Sequence, residues 1–234
     1  MIDVVLEGPG KNALGTAVMK KALEAVRGAG NEPLLVTGAG DAFSAGLDLR
    51  EVAGLDAEGL GRYLDLLDEL VLALFHHPAP TVAAIQGHAI AGGCVIAMCC
   101  DHRVMTTEPR AKIGLNEVAL GLLFPPRVLA LAKARLSVTA QRRVLLGAGL
   151  YTSKDALALG LCDELADDAV AAGRTRLAEL AAHPREVYAL TKELLQKGQL
   201  ELEPAELDHY RAVVLPRWTS PELRAALAAK LAKK

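Results

Sequence analysis

Short apolar, β-branched runs alternate with longer stretches of helical periodicity through the first half of the chain, and this alternation constrains the fold more than any other feature. Ile2–Leu6 reads as a strand, residues 16–27 as a helix and residues 33–37 as a strand. Residues 60–75 read as a helix, and Thr81–Ile85 as a buried strand bounded by Pro80 and Gly87. A further helix opens near Gly92. Strands separated by crossover helices specify an α/β protein. Beyond residue 128 the pattern turns helical, at 128–135, 139–146, Ser153–Leu159, 169–182, 187–197, 205–215 and 221–233. Ser153 reads as an N-cap and Gly160 as the stop of that helix. Ser220 and Pro221 pair an N-cap with a first-turn proline. Strands are therefore expected in the first half and helices in the second, with a soft boundary near Pro184.

With 234 residues, 52% of them apolar, the chain can bury the core of one compact domain. A formal charge of -2 and an aromatic content of 3% leave no basic patch interleaved with stacking rings, so nucleic acid is not an expected partner. The longest apolar stretch, residues 89–100, is too short to cross a bilayer. The opening MIDVVLEGPG lacks the basic start and apolar block of a secretory signal. Cys94, Cys99, Cys100 and Cys162 sit in apolar runs without metal-ligand spacing, which fits buried, reduced thiols. These features predict a cytoplasmic protein with no metal site and no membrane partner. The basic tail, Lys230 to Lys234, reads as a solvated helix end.

Three segments carry the candidate chemistry. Two are glycine-containing loops that follow strands, residues 37–48 and 87–93. Gly38-Ala39-Gly40 does not sit in a G-x-G-x-x-G turn between strand and helix, which argues against a dinucleotide site. A strand that passes through small residues into a helix leaves main-chain N–H groups unpaired. Such groups can serve either as ordinary turn amides or as donors to a developing oxyanion. The third segment, residues 113–121, holds Glu117 as a lone acid among apolar and small residues. Glu117 is either a surface carboxylate at a helix start or, if buried, a general base with a raised pKa.

The order of these segments resembles the crotonase (enoyl-CoA hydratase/isomerase) family. Phe43-Ser44-Ala45-Gly46-Leu47-Asp48 is similar to its first oxyanion-hole loop. Gly87 with Ala91-Gly92-Gly93-Cys94 is similar to its second loop and the helix that follows. Asn12-Ala13-Leu14 resembles an early motif of the family, and Leu146-Gly147 with Leu159-Gly160-Leu161 and Asp163 a later one. The resemblance runs from about residue 11 to the C-terminus. It implies a β/α spiral of repeated ββα-like units with a C-terminal helical region. It also implies backbone N–H groups of Leu47 and Gly92 as the oxyanion hole, Ser44 and Ala45 as backbone contacts to coenzyme A, and Glu117 as the catalytic residue. The substrate is then an acyl-CoA, with no cofactor beyond its coenzyme A. A spiral core over residues 1–183 would hold the site, and residues 184–234 would supply the contacts of a homotrimer or hexamer.

The acids distinguish the branches of the family. Hydratases carry two glutamates that position a water, and this chain has Val95 where the first stands. One carboxylate suffices to move a double bond, so the pattern resembles the Δ3,Δ2-enoyl-CoA isomerase branch. Hydration or another crotonase-type reaction on an acyl-CoA, with an acid supplied from elsewhere such as Glu51 or Asp68, is the first alternative, and a non-catalytic CoA-binding subunit the second. His76 and His77 read as the end of a helix, where a cation suits the dipole. His88 reads as packing or pocket lining, and Asp48 as a helix cap. Asp101 reads as structural, and Lys192 and Lys230 as possible partners of CoA phosphates. The chain has a single opening strand where the family usually has a hairpin, so a trimmed sheet edge is expected.

Overall fold

The computed structural model describes residues 1–225. Its strands are β1 (Ile2–Leu6), β2 (Leu34–Gly38), β3 (Ala42–Ser44), β4 (Thr81–Ile85), β5 (His88–Ile90), β6 (His102–Thr106), β7 (Ile113–Gly114) and β8 (Glu164–Ala166). They form a larger sheet of order β1-β2-β4-β6-β8 and a smaller one of order β3-β5-β7, both wholly parallel. Each of β2, β4 and β6 is followed by a strand of the smaller sheet and then by helical chain. Helices Leu49–Gly54 and Ala57–Phe75 follow β3, helix Gly92–Cys99 follows β5, and a single turn at Val118–Leu120 with helix Pro126–Arg135 follows β7. This repetition is the expected spiral of ββα-like units.

Every residue of β2 and β4 is buried, as parallel strands covered on both faces must be. Successive residues serve opposite faces. Leu34 and Val36 join the main core, while Leu35, Val82 and Ala84 pack under helix Ala169–Ala181. Gly173 lets that helix come close, since a side chain there would stand 3.1 Å from Cβ of Ala84. On the other face, helix Thr16–Gly28 buries Val18, Met19, Ala22, Leu23 and Val26 against helix Ala57–Phe75. Helix Gly92–Cys99 is buried on all sides, which explains why its sequence is apolar throughout.

The structure departs from the sequence expectations in several places. Strands continue past the middle of the chain, because β6 pairs with β8. β6 opens on the polar pair His102 and Arg103 and β8 has only three residues, so neither carries the apolar run that marks β2 and β4. The N-cap of helix Ser153–Leu159 is Thr152, whose hydroxyl accepts from Asp155 N. The helices expected over 139–146 and 205–215 each contain a π-helical turn, at Arg142–Leu146 and Tyr210–Val214. β1 is an edge strand of the larger sheet, as expected. Residues 226–233 of the last expected helix, and Lys230 to Lys234, lie outside the described residues. Among the described residues, no helix is long and apolar enough to cross a membrane.

Candidate active site

The first loop is held open by hydrogen bonds from distant residues. Asn12, itself at φ 55, donates from Nδ2 to the carbonyls of Ala39 and Ala42, both at 2.8 Å. Ser44 Oγ donates to Asn12 O at 2.8 Å and accepts from Gly46 N at 3.2 Å. Gly46 sits at φ 88, and a Cβ there would lie 2.6 Å from Ile90 O, so only glycine fits. Asp48 then caps helix Leu49–Gly54 by accepting from the amides of Arg50 and Glu51, as expected. Between these anchors the Leu47 amide has no acceptor among the described residues.

The second loop turns at Ala91, whose φ of 50 is unusual for a residue with a side chain. Such a conformation costs of order 1–3 kcal/mol and persists where surrounding contacts impose it. Here Ala91 N donates to Gly114 O at 2.8 Å, and Ala91 O accepts from Val95 N at 3.0 Å. The Gly92 amide, first in its helix, likewise has no acceptor among the described residues. The loops touch: a Cβ on Gly46 would lie 3.0 Å from Gly92 N.

Glu117 follows β7 and opens the turn at Val118–Leu120. Its carbonyl accepts from the amides of Leu120 and Leu122, both at 2.9 Å. The side chain is only 7% exposed, and its Oε2 is buried without a hydrogen-bond partner. Burial pushes its pKa up to about 7, because an ionised carboxylate is poorly solvated there.

Leu47, Gly92, Val95 and Glu117 meet at one cavity of about 430 Å³. Ala45, Ile90 and Leu49 line it as well, and Leu67, Leu122, Pro125, Val128, Leu150 and Trp218 complete its apolar walls. Glu117 is its one ionisable side chain among the described residues, and Val95 supplies a hydrocarbon wall that cannot hold a water. The arrangement joins a buried carboxyl group whose Oε2 has no partner, two free main-chain donors and a mostly apolar surround.

The remaining candidates separate from this cavity. Ala45 lines it, whereas Ser44 is fully buried behind it, its hydroxyl engaged by Asn12 and Gly46. Glu51 is bonded to Thr16, and Asp68 pairs with Arg127 at 3.0 Å, so neither reaches the cavity. Lys192 is not available to a phosphate. It is 7% exposed and pairs with Asp101 at 2.8 Å, and Asp101 also accepts from Thr81 N and Tyr188 Oη, a structural role. His76 and His77 do end a helix, but burial lowers both pKa values, contrary to the expected cations. His88 Nδ1 accepts from Lys112 N at 3.1 Å, a packing role. The four cysteines are free and buried.

Sequence reasoning missed Trp218 and Asn116. Trp218 comes from the C-terminal region, where its Nε1 donates to Leu123 O at 3.0 Å and its ring closes the cavity. That region therefore contributes to the site itself. The one tryptophan in an aromatic-poor chain was the available signal. Asn116 lines the cavity with a buried, unpaired Oδ1.

Comparison with known proteins agrees with this architecture. The model of the family described as enoyl-CoA hydratase/isomerase matches residues 1–216, and the chain belongs to that family. It is 34% identical over 158 residues to the mouse protein named enoyl-CoA delta isomerase 1, mitochondrial, covering 67% of this chain and 55% of the relative. It is 36% identical over 171 residues to a putative enoyl-CoA hydratase of Thermus thermophilus, covering 71% of this chain and 66% of the relative. The chain thus spans about half the length of the mammalian isomerases it matches. The crystal structure of human mitochondrial delta3-delta2-enoyl-CoA isomerase superposes with a TM-score of 0.87 at 25% identity, covering 98% of this chain and 93% of that one.

Proposed function

We propose that the protein is a Δ3,Δ2-enoyl-CoA isomerase acting on acyl-CoA thioesters. The observation that carries this reading is the carboxyl group of Glu117, its Oε2 buried without a partner in a cavity that also presents the free amides of Leu47 and Gly92. Glu117 takes a proton from C2 of a 3-enoyl-CoA, and the electron pair moves onto the thioester oxygen. The two amides hold that dienolate oxygen, and the same carboxyl group returns the proton at C4 to give the trans-2-enoyl product. Each oxyanion donor contributes roughly 3–4 kcal/mol, and the positioned base about 10²–10⁴ in rate. No water takes part, and Val95 helps to exclude it. Ala45 at the cavity edge contacts the coenzyme A portion.

The test is to give the enzyme 3-hexenoyl-CoA in isotopically labelled water and follow the 2-enoyl product. Isomerisation without incorporation of solvent oxygen, lost in Glu117→Gln, is expected. Hydration of crotonyl-CoA at a rate equal to isomerisation would overturn the assignment in favour of a hydratase. Binding of coenzyme A thioesters with no turnover of any of them would favour a non-catalytic subunit. A homotrimer or hexamer fits the exposed stripe of Val187, Leu190, Leu194 and Leu195 on helix Arg185–Gln196, and light scattering of Leu194→Glu against wild type tests it. A cytoplasmic location and the absence of a further cofactor belong to the same reading.

A further inference from the structure

This inference rests on the acyl-CoA reading and concerns which acyl chains the cavity takes. Behind the turn that carries Glu117 lies a second apolar groove of about 770 Å³, lined by residues that include Phe124, Leu129, Leu145, Tyr210 and Val213. Leu122 borders both this groove and the inner cavity. It is 4% exposed and, among the described residues, the one that the two linings have in common. The backbone fixes the wall in place. Leu122 N donates to Glu117 O at 2.9 Å, and Gly121 closes the turn at φ 76. Leu67, Val128 and Trp218 belong to the same packed core as Leu122, but none of the three lines the groove. A 3-enoyl chain whose C2 and C4 lie at Glu117 sits against this same turn, which Leu120 and Leu122 continue along the cavity.

We infer that Leu122 is the specificity-determining partition that ends the acyl site, and that the groove beyond it accepts the tail of a longer acyl chain once that partition is reduced. The groove's occupant is the distal hydrocarbon of the same thioester, because the two spaces are separated by this side chain. In the wild-type protein the tail stops at Leu122, and short and medium chains are preferred. Each methylene gained or lost against such a wall changes affinity by roughly tenfold or more.

Calorimetric titration with the saturated thioesters butyryl-, octanoyl- and palmitoyl-CoA tests this without requiring turnover. Wild type is expected to bind palmitoyl-CoA at least about tenfold more weakly than octanoyl-CoA. Leu122→Ala is expected to improve palmitoyl-CoA binding by about tenfold or more relative to butyryl-CoA. Adding Val213→Asp, which puts a charge in the outer groove, should cancel that gain, while Val213→Asp alone leaves butyryl-CoA binding intact. Leu122→Phe provides a filled variant, expected to weaken octanoyl-CoA more than butyryl-CoA. Equal effects of Leu122→Ala on all three ligands, a gain that survives Val213→Asp, or wild-type binding of palmitoyl-CoA as tight as octanoyl-CoA would each overturn the partition. Failure to bind any acyl-CoA would instead overturn the acyl-CoA reading on which it rests.

Discussion

A Cβ placed on Gly92 would stand 3.3 Å from the amide nitrogen of Leu47 and 3.1 Å from Cδ1 of Leu14. The two loops thus meet through main chain. Alanine at Gly92 asks neighbours to give by only a few tenths of an ångström, and it suits the first turn of a helix. Gly92→Ala should therefore change stability by no more than about 1 kcal/mol yet lower kcat by an order of magnitude or more, since misplacement of an ångström is enough to do so. Thermal melts and turnover measured on the same preparation check this, and an unchanged kcat counts against it.

The next residue behaves differently. A Cβ on Gly93 would lie 2.4 Å from the carbonyl oxygen of Ser44, and a strand carbonyl cannot rotate away as a side chain can. Gly93→Ala should destabilise the fold by about 1–3 kcal/mol or more. Urea unfolding of the two alanine variants, side by side, separates the catalytic glycine contact from the structural one.

Glu117 ties pH to both stability and rate, with opposite signs. An unfolded glutamate ionises near 4.5, whereas the native group holds its proton to about pH 7. Between those values the native state binds a proton that the unfolded chain has released, so stability falls as pH rises through the window. The loss is on the order of 3 kcal/mol and stays above it. Glu117→Gln should flatten this dependence and exceed wild type in stability above neutral pH. The proposed mechanism uses Glu117 as an ionised base, so wild-type kcat/KM should rise through the same region. A melt series from pH 4 to 9 with matching pH–rate profiles measures both.

Asp101 holds Lys192, Tyr188 and the Thr81 amide together beneath the larger sheet. Asp101→Ala leaves the Lys192 ammonium buried with only the Ala79 carbonyl, at 3.3 Å. Removing one partner of a buried pair costs about 3–5 kcal/mol. Lys192→Met should cost less, because Asp101 keeps its amide and hydroxyl donors. Equal losses in chemical denaturation would refute this ranking.

The sequence alone determined the elements whose patterning is strong and local. β1, β4 and helix Ser153–Leu159 fall where their residues indicate, because an apolar run bounded by breakers or a capped helix needs no distant partner to be recognised. The three segments that reach the cavity were legible as well, since glycines demanded by backbone crowding and one acid among apolar neighbours leave a mark in the chain. Tertiary structure decided the rest. The short strands β3, β5 and β7 exist only by pairing with one another, and no periodicity announces them. Whether Glu117 lay in solvent or in a cavity depended on walls brought from residues as far apart as Leu67 and Trp218. Lys192 turned inward for the same reason: burial and partners are properties of the folded arrangement, set by which distant surfaces come into contact.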